Sequence, residues 1–258
     1  MENDQVKHYI KDHVAFVSLD NAESKNLISP KIAGELLRVF KQIEDNDAVK
    51  VILITGSGSH FSVGRSQINA NLEPTSRALA MLDLKICDAL TNLKAPIIAS
   101  INGDAMEHGL ELALCADIRL CTDESSFRID DLSVGNNFPW DGGTQRLPRL
   151  VGHSWALDML LTGRTISAQE ALTIGLVNKV TSRESLDETS YMVARKICMG
   201  AQIANEYAKE AVYKGSEMSL AQGLRLEADL NIILQSTKDR AEGIKSFIEN
   251  RSPKFSGE

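Results

Sequence analysis

Apolar residues cluster in short unbroken runs, and the segments between the runs carry them at helical spacing. "VAFVSL" (14–19), "VKVILITG" (49–56), "APIIASING" (95–103) and "DIRLCT" (117–122) predict buried strands. "SPKIAGELLRVFKQIEDND" (29–47) predicts a helix, because Ile32, Leu36, Val39, Phe40 and Ile43 recur on one face. Ser29 suits its N-cap and Pro30 its first helical position. A second helix is expected around 76–93 and a third in "AMEHGLELALCAD" (105–117). Beyond about residue 143 the pattern is mostly helical, with an extended piece at 176–180. The last helices fall near 186–200, 202–214, 218–235 and 238–249. Strands alternate with helices through the first two thirds and helices dominate afterwards, which predicts an α/β core with a helical C-terminal part.

The helix at 105–117 breaks its own pattern. Glu107 and His108 stand at its opening and Glu111 falls inside the apolar run. Positions 108 and 111 are one turn apart and share a face. The first-turn N–H groups of a helix have no partner inside it and sit at the positive end of its dipole. A carboxylate there can reach whatever those N–H groups bind. The loop "TGSGSHFSVGRS" also follows a buried strand, at the end where α/β proteins commonly bind ligands. It fits neither glycine template for phosphates. Gly58 and Gly64 enclose five residues, with Arg65 rather than Lys next, and Phe61 stands where a third glycine belongs. Two strand-end loops with available N–H groups can together hold a developing oxyanion.

Composition narrows the picture without redirecting it. The 258 residues are 43% hydrophobic and 24% charged, ordinary for a globular chain. A net charge of −7 argues against nonspecific nucleic-acid binding. The four cysteines show no paired or metal-ligand spacing. The opening residues are too polar for a signal peptide, and no apolar run reaches membrane-spanning length. A cytoplasmic location, no membrane and no metal are therefore expected.

Six segments, in order, carry a resemblance. They are "VAFVSLDNAESKNLIS", "VKVILITGSGSHFSVGRS", "KAPIIASINGDAMEHGLELALCADIRL", "SFRIDDLSVGNNFPWDGGTQRLPRLVG", "LLTGRTISAQEALTIGLVNKV" and "SFIENRSPKF". The chain resembles the crotonase, or enoyl-CoA hydratase/isomerase, superfamily over nearly its whole length. The resemblance implies an α/β, crotonase-like spiral of ββα units (1–200) and a helical C-terminal oligomerisation region (201–258), assembled as trimers or hexamers. It implies an acyl-CoA substrate, with the CoA thioester as part of the substrate and no separate cofactor. Backbone N–H groups of Val63 and His108 would bind the thioester oxygen, and Glu111 and Asp131 would be the paired carboxylates of a hydratase. Asp130 lies beside Asp131, so the register of that second carboxylate stays open. Water adding across an enoyl thioester needs a proton taken from water and one delivered to the α-carbon, and two carboxylates can do both.

Three departures point elsewhere in the superfamily. Glu107 and His108 replace glycines of the hydratase pattern, where glycine lets a ligand approach the backbone. "GNNFPWDGGTQ" is one residue longer and carries Trp140 and Asp141. Asp131 is one carbon shorter than the expected Glu. A His108–Asp141 pair resembles the site of β-diketone hydrolases, and an aspartate before paired glycines resembles ring-opening and dihydroxynaphthoyl-CoA-forming members. A hydratase acting through an oxyanion-stabilised enolate is therefore the first reading. A C–C bond hydrolase using His108 and Asp141 is the second, and a non-catalytic RNA-binding or assembly role the third. Lys25, Arg65 and Lys254, with Arg251, are candidate cations for the CoA phosphates, and Trp140 is a candidate substrate contact.

Overall fold

The computed structural model describes residues 4–68, 71–129, 132 and 138–258. Two strands open the chain, β1 (Val6–Lys11) and β2 (Val14–Leu19). Then come α1 (Pro30–Glu44), β3 (Val51–Gly56), β4 (His60–Ser62), α2 (Pro74–Leu82) and α3 (Cys87–Thr91). The middle of the chain forms β5 (Ile97–Ile101), β6 (Asp104–Met106), α4 (His108–Leu114), β7 (Ile118–Thr122) and β8 (Ser126–Arg128). After these follow α5 (Gly143–Val151), α6 (His153–Thr162), β9 (Ile166–Ser167), α7 (Ala168–Thr173) and β10 (Lys179–Thr181). Four helices close the chain: α8 (Arg183–Cys198), α9 (Gln202–Ser216), α10 (Leu220–Leu234) and α11 (Lys238–Ile248).

The strands form two sheets. The larger has the order β1-β2-β3-β5-β7-β10, and the smaller the order β4-β6-β8-β9. Beyond the antiparallel β1–β2 hairpin, every pairing in the larger sheet is parallel. The unbroken apolar runs follow from burial on both faces. In β3, Ile52 and Ile54 join the main core, which also holds Leu36 and Phe40 of α1. Val51 and Leu53 face the other way and pack with Leu186 and Ala194 of α8. Ser29 caps α1 as its sequence predicts, its hydroxyl accepting the Ile32 N–H at 3.2 Å.

Three elements differ from the expectations. The helix expected at 76–93 is two helices, α2 and α3, and the break leaves the Ile86 and Cys87 amides outside the helical ladder. The polar segment 6–11 is a strand, because it pairs along β2 at the sheet edge, where Tyr9 stacks on Phe16 with ring centroids 4.7 Å apart. The short strands of the smaller sheet carry too few residues for a periodic signal. Among the described residues, no helix is long and apolar enough to cross a membrane.

Candidate active site

The site forms where β4 and β6 run parallel and end side by side. Glu107, between β6 and α4, turns the chain at φ 49° and ψ −123°, a backbone state that L-residues strongly disfavour. The helix starts at once with His108. Its approach to β4 is so close that a Cβ on Gly109 would lie 2.1 Å from the Ser62 carbonyl oxygen. The facing loop is held by buried asparagines. The Asn26 side-chain amide donates to the Ser57 and His60 carbonyls at 2.9 and 2.8 Å. The Asn102 side chain accepts the Gly56 N–H at 3.2 Å and donates to the Gly58 carbonyl at 2.9 Å.

Glu111 lies inside α4 with 1% relative exposure. Its Oε1 accepts the Asp141 N–H at 2.9 Å and the Gly143 N–H at 2.8 Å. Its Oε2 is buried without a hydrogen-bond partner among the described residues, 4.0 Å from the Arg65 guanidinium. Burial pushes the Glu111 carboxyl above the ordinary glutamate range, against the pull of His108 and the two amides. The carboxylate is thus fixed by one oxygen and left with a lone pair on the other.

His108 and Asp141, 33 residues apart in sequence, meet in the interior, with Nε2 3.1 Å from Oδ2. The same Oδ2 accepts the Ile86 and Cys87 N–H groups at 2.8 and 2.9 Å. Burial alone would raise the Asp141 carboxyl. The His108 hydrogen bond and the two amides outweigh it and hold the group well below the usual carboxylate range. The Asp141 carbonyl in turn accepts from Arg146 at 2.7 Å. With Asp141 anionic, His108 Nε2 is the donor and Nδ1 the remaining ring position. That Nδ1 is buried without a partner among the described residues.

Cys87 Sγ, an imidazole nitrogen of His108 and a carboxylate oxygen of Asp141 lie within 4.8 Å of one another. Such a trio is a possible metal-ligand set. The Asp141 oxygen, however, already accepts three hydrogen bonds, and burial first, then Cys115 and the nearby carboxylates, push the Cys87 thiol well above its usual range. The arrangement reads as a hydrogen-bonded clamp. Nothing in the sequence marks the Ile86 and Cys87 amides, the Gly143 amide or Arg146 as parts of the site, because each acts through the backbone or through chain segments far apart in sequence.

The expected residues divide accordingly. His108, Glu111 and Asp141 come together, and Trp140, next to Asp141, lines a neighbouring cavity. Asp131, and Asp130 beside it, lie outside the described residues. Two assignments are corrected. The Val63 N–H is spent on the Lys25 carbonyl at 3.2 Å and is not an available donor. Gly64, at φ 124°, turns the chain so that alternation fails. Ile28 then pairs across Arg65, bonding to Gly64 and Ser66, so the Arg65 amide faces the other side, where β6 and the start of α4 lie. The Arg65 side chain, 7% exposed, sits by Glu111 rather than at the surface where a diphosphate would lie. Lys25 is exposed, Lys254 is exposed at the far end of the chain, and Arg251 is paired with Glu242 and Glu249.

Residues 9–258 match the enoyl-CoA hydratase/isomerase family. The chain belongs to that family. It is 36% identical over 242 residues to the mitochondrial enoyl-CoA hydratase of Pongo abelii, covering 94% of this chain and 83% of that protein. It is 33% identical over 250 residues to the (E)-benzylidenesuccinyl-CoA hydratase of Thauera aromatica, covering 96% and 97% of the two chains. Among solved structures, the enoyl-CoA hydratase from Bacillus anthracis superposes with a TM-score of 0.94 at 34% identity, covering 98% of this chain and all of that one. The two-sheet α/β core with trailing helices is therefore the crotonase fold of an enoyl-CoA hydratase/isomerase, as the resemblance implies.

Proposed function

We propose that this family member hydrates an α,β-unsaturated acyl-CoA thioester. The observation that carries the reading is Glu111, pinned through Oε1 by two amides while Oε2 keeps an unshared lone pair in a buried site. The thioester oxygen lies at the start of α4, where the His108 amide begins the helix and the Arg65 amide faces it from the neighbouring loop. Two donors aimed there stabilise the enolate that forms when water adds to the β-carbon. Glu111 takes the proton from that water, and its raised pKa keeps it basic enough to do so. The α-carbon then receives a proton, a role for which Asp131 is the candidate on the family pattern.

In this reading Asp141 is a positioning residue. Its amide holds Glu111, and its carboxylate fixes His108 against the Ile86 and Cys87 amides. The buried His108–Asp141 pair is also the one observation that favours the C–C bond hydrolase, in which His108 would take a proton from water or hold an enolate oxygen. Hydration ranks first because Glu111 stands at the position of the hydratase base on the family pattern, while the His108 and Asp141 contacts brace α4. We also infer a homo-oligomer, since α9 to α11 expose Val212, Leu220, Leu224, Ile232 and Phe247, too much apolar surface for a lone chain. The deciding experiment is loss of the conjugated thioester absorbance of crotonyl-CoA, with the 3-hydroxyacyl product identified by mass. Cleavage of a cyclic β-keto thioester without crotonyl-CoA hydration would reverse the ranking.

A further inference from the structure

The backbone that meets the thioester oxygen comes from two places, the turn after β4 and the start of α4 just after β6. Their spacing depends on how β4 lies against β6. Both strands are only three residues long, and their pairing shifts register between His60 and Ser62. A pairing this short and irregular carries little register information of its own. The contacts at its ends must supply the rest. At the entry end the two incoming loops touch backbone to backbone, so that a Cβ on Gly103 would lie 1.9 Å from the Ser59 carbonyl oxygen. Arg183, the first residue of α8, spans this contact. Its Nη1 donates to the Asn102 carbonyl at 2.6 Å and its Nη2 to the Gly58 carbonyl at 2.5 Å. Each of these carbonyls stands two residues ahead of its strand.

The base of this clamp is rigid. Leu186 and Ala194 of α8 pack with Val51 and Leu53 of the larger sheet, and the buried Ser190 hydroxyl donates to the Ser100 hydroxyl of β5 at 2.9 Å. A guanidinium is planar, so its two outer nitrogens hold their acceptors at a fixed spacing, and its charge strengthens both bonds. The Asn102 side chain, donating to the Gly58 and His60 carbonyls at 2.9 and 3.3 Å, ties one loop to the other. Arg183 ties both loops at once to a third element. Three strand residues, about 10 Å of extended chain, lie between the clamp and the far end of each strand. Arg183 therefore acts on the site only through β4 and β6. A misplacement of about 1 Å, transmitted from far away, can cost about 100-fold in rate.

We propose that Arg183 is a positioning residue for the oxyanion hole, its guanidinium fixing β4 against β6 and so the spacing between the turn after β4 and the start of α4. The proposal rests on the acyl-CoA reading above and deepens it. The readout is the carbonyl stretch of bound butyryl-CoA carrying 13C at the thioester carbon, taken by infrared difference, because it reports polarisation of the carbonyl and needs no hydration. It is compared on the wild type, Arg183→Met, Arg183→Lys and Glu35→Gln, with circular dichroism confirming each fold. Glu35 accepts the Gln5 and Val6 amides at 2.8 Å by the edge strand β1, so Glu35→Gln controls for lost stability alone. The wild type should lower the stretch relative to free thioester. Arg183→Met should return most of that shift and lower crotonyl-CoA kcat about 10- to 100-fold, with butyryl-CoA affinity nearly unchanged. Arg183→Lys, which keeps charge but not the fork, should fall between them. Glu35→Gln should melt earlier and keep the wild-type stretch. If Arg183→Met does not fold, Arg183→Lys carries the same comparison. A wild-type stretch in the Arg183 variants overturns the proposal, and so does an equal loss of the shift in Glu35→Gln. No lowering in the wild type removes the oxyanion hole and this proposal together. If the shift is present, is lost in Arg183→Met, and crotonyl-CoA goes unhydrated by the wild type, the hydratase reading fails and this one stands.

Discussion

Glu111→Gln separates what the carboxylate does for chemistry from what it does for the fold. The glutamine oxygen can take the place of Oε1 and accept the Asp141 and Gly143 amides, so the loop keeps its anchor. Its NH2 group takes the place of Oε2, which has no hydrogen-bond partner among the described residues. The base is lost, and with it the negative charge 4.0 Å from the Arg65 guanidinium. Removing a general base lowers turnover about 10²–10⁴-fold, or about 2.7–5.5 kcal/mol of barrier. Stability should move the other way. Burial raises the Glu111 pKa despite the amides and His108, so the ionised form is disfavoured in the folded chain. A raised folded-state pKa gives stability that is complete below the unfolded value and lost as pH rises through the folded value. As pH rises through the folded-state value the wild type loses that contribution, whereas the neutral glutamine keeps it. Weaker bonds from two amides to a neutral acceptor cost about 1 kcal/mol each, and the upward shift says burial outweighs them. Glu111→Gln is therefore expected to gain stability relative to the wild type as pH rises. The gap should open as pH rises above the ordinary glutamate range. The assays are crotonyl-CoA turnover and urea unfolding between pH 4 and 8. Turnover within fivefold of wild type, or a mutant whose stability relative to wild type does not rise between pH 4 and 8, would refute the reasoning.

Asp141→Asn should lower stability at pH 7 by about 2–4 kcal/mol, as three hydrogen bonds lose their charged acceptor. Because the Asp141 pKa is depressed, the wild-type advantage should be present above the ordinary aspartate range and shrink as pH falls below it, read by thermal melts from pH 7 to 3. For a hydratase, His108→Gly should lower stability by removing a partner of Asp141, and should lower crotonyl-CoA turnover less than Glu111→Gln does. For a C–C hydrolase, His108→Gly and Asp141→Asn should each abolish cleavage and fail to add in a double-mutant cycle. Gly109→Ala drives a methyl into the Ser62 carbonyl 2.1 Å away, and should cost about 1–3 kcal/mol and most of the hydration rate, seen by melting and turnover together. The four buried cysteines, with Cys121 pushed up to about 12, should resist a disulfide reagent in native buffer and all react in urea.

The hydrophobic pattern by itself determined the alternating core, the cap of α1 at Ser29 and Pro30 and the helices after residue 183, because period, cap chemistry and burial are local properties. It also marked Glu111, since a carboxylate inside an apolar helix is a local anomaly. Only the tertiary structure decided how the site is wired. Asp141 meets His108 33 residues away and the Ile86 amide 55 residues away, and no spacing encodes contacts made by parallel strands and the loops between them. The same holds for the helix expected at 76–93, whose break frees two amides to bind that distant carboxylate. Val63 shows how narrow the margin is. Motif matching placed a donor there, yet one positive-φ glycine after it reverses which side the amides face, and backbone direction is settled by the neighbours that accept those bonds rather than by the side chains that sequence displays.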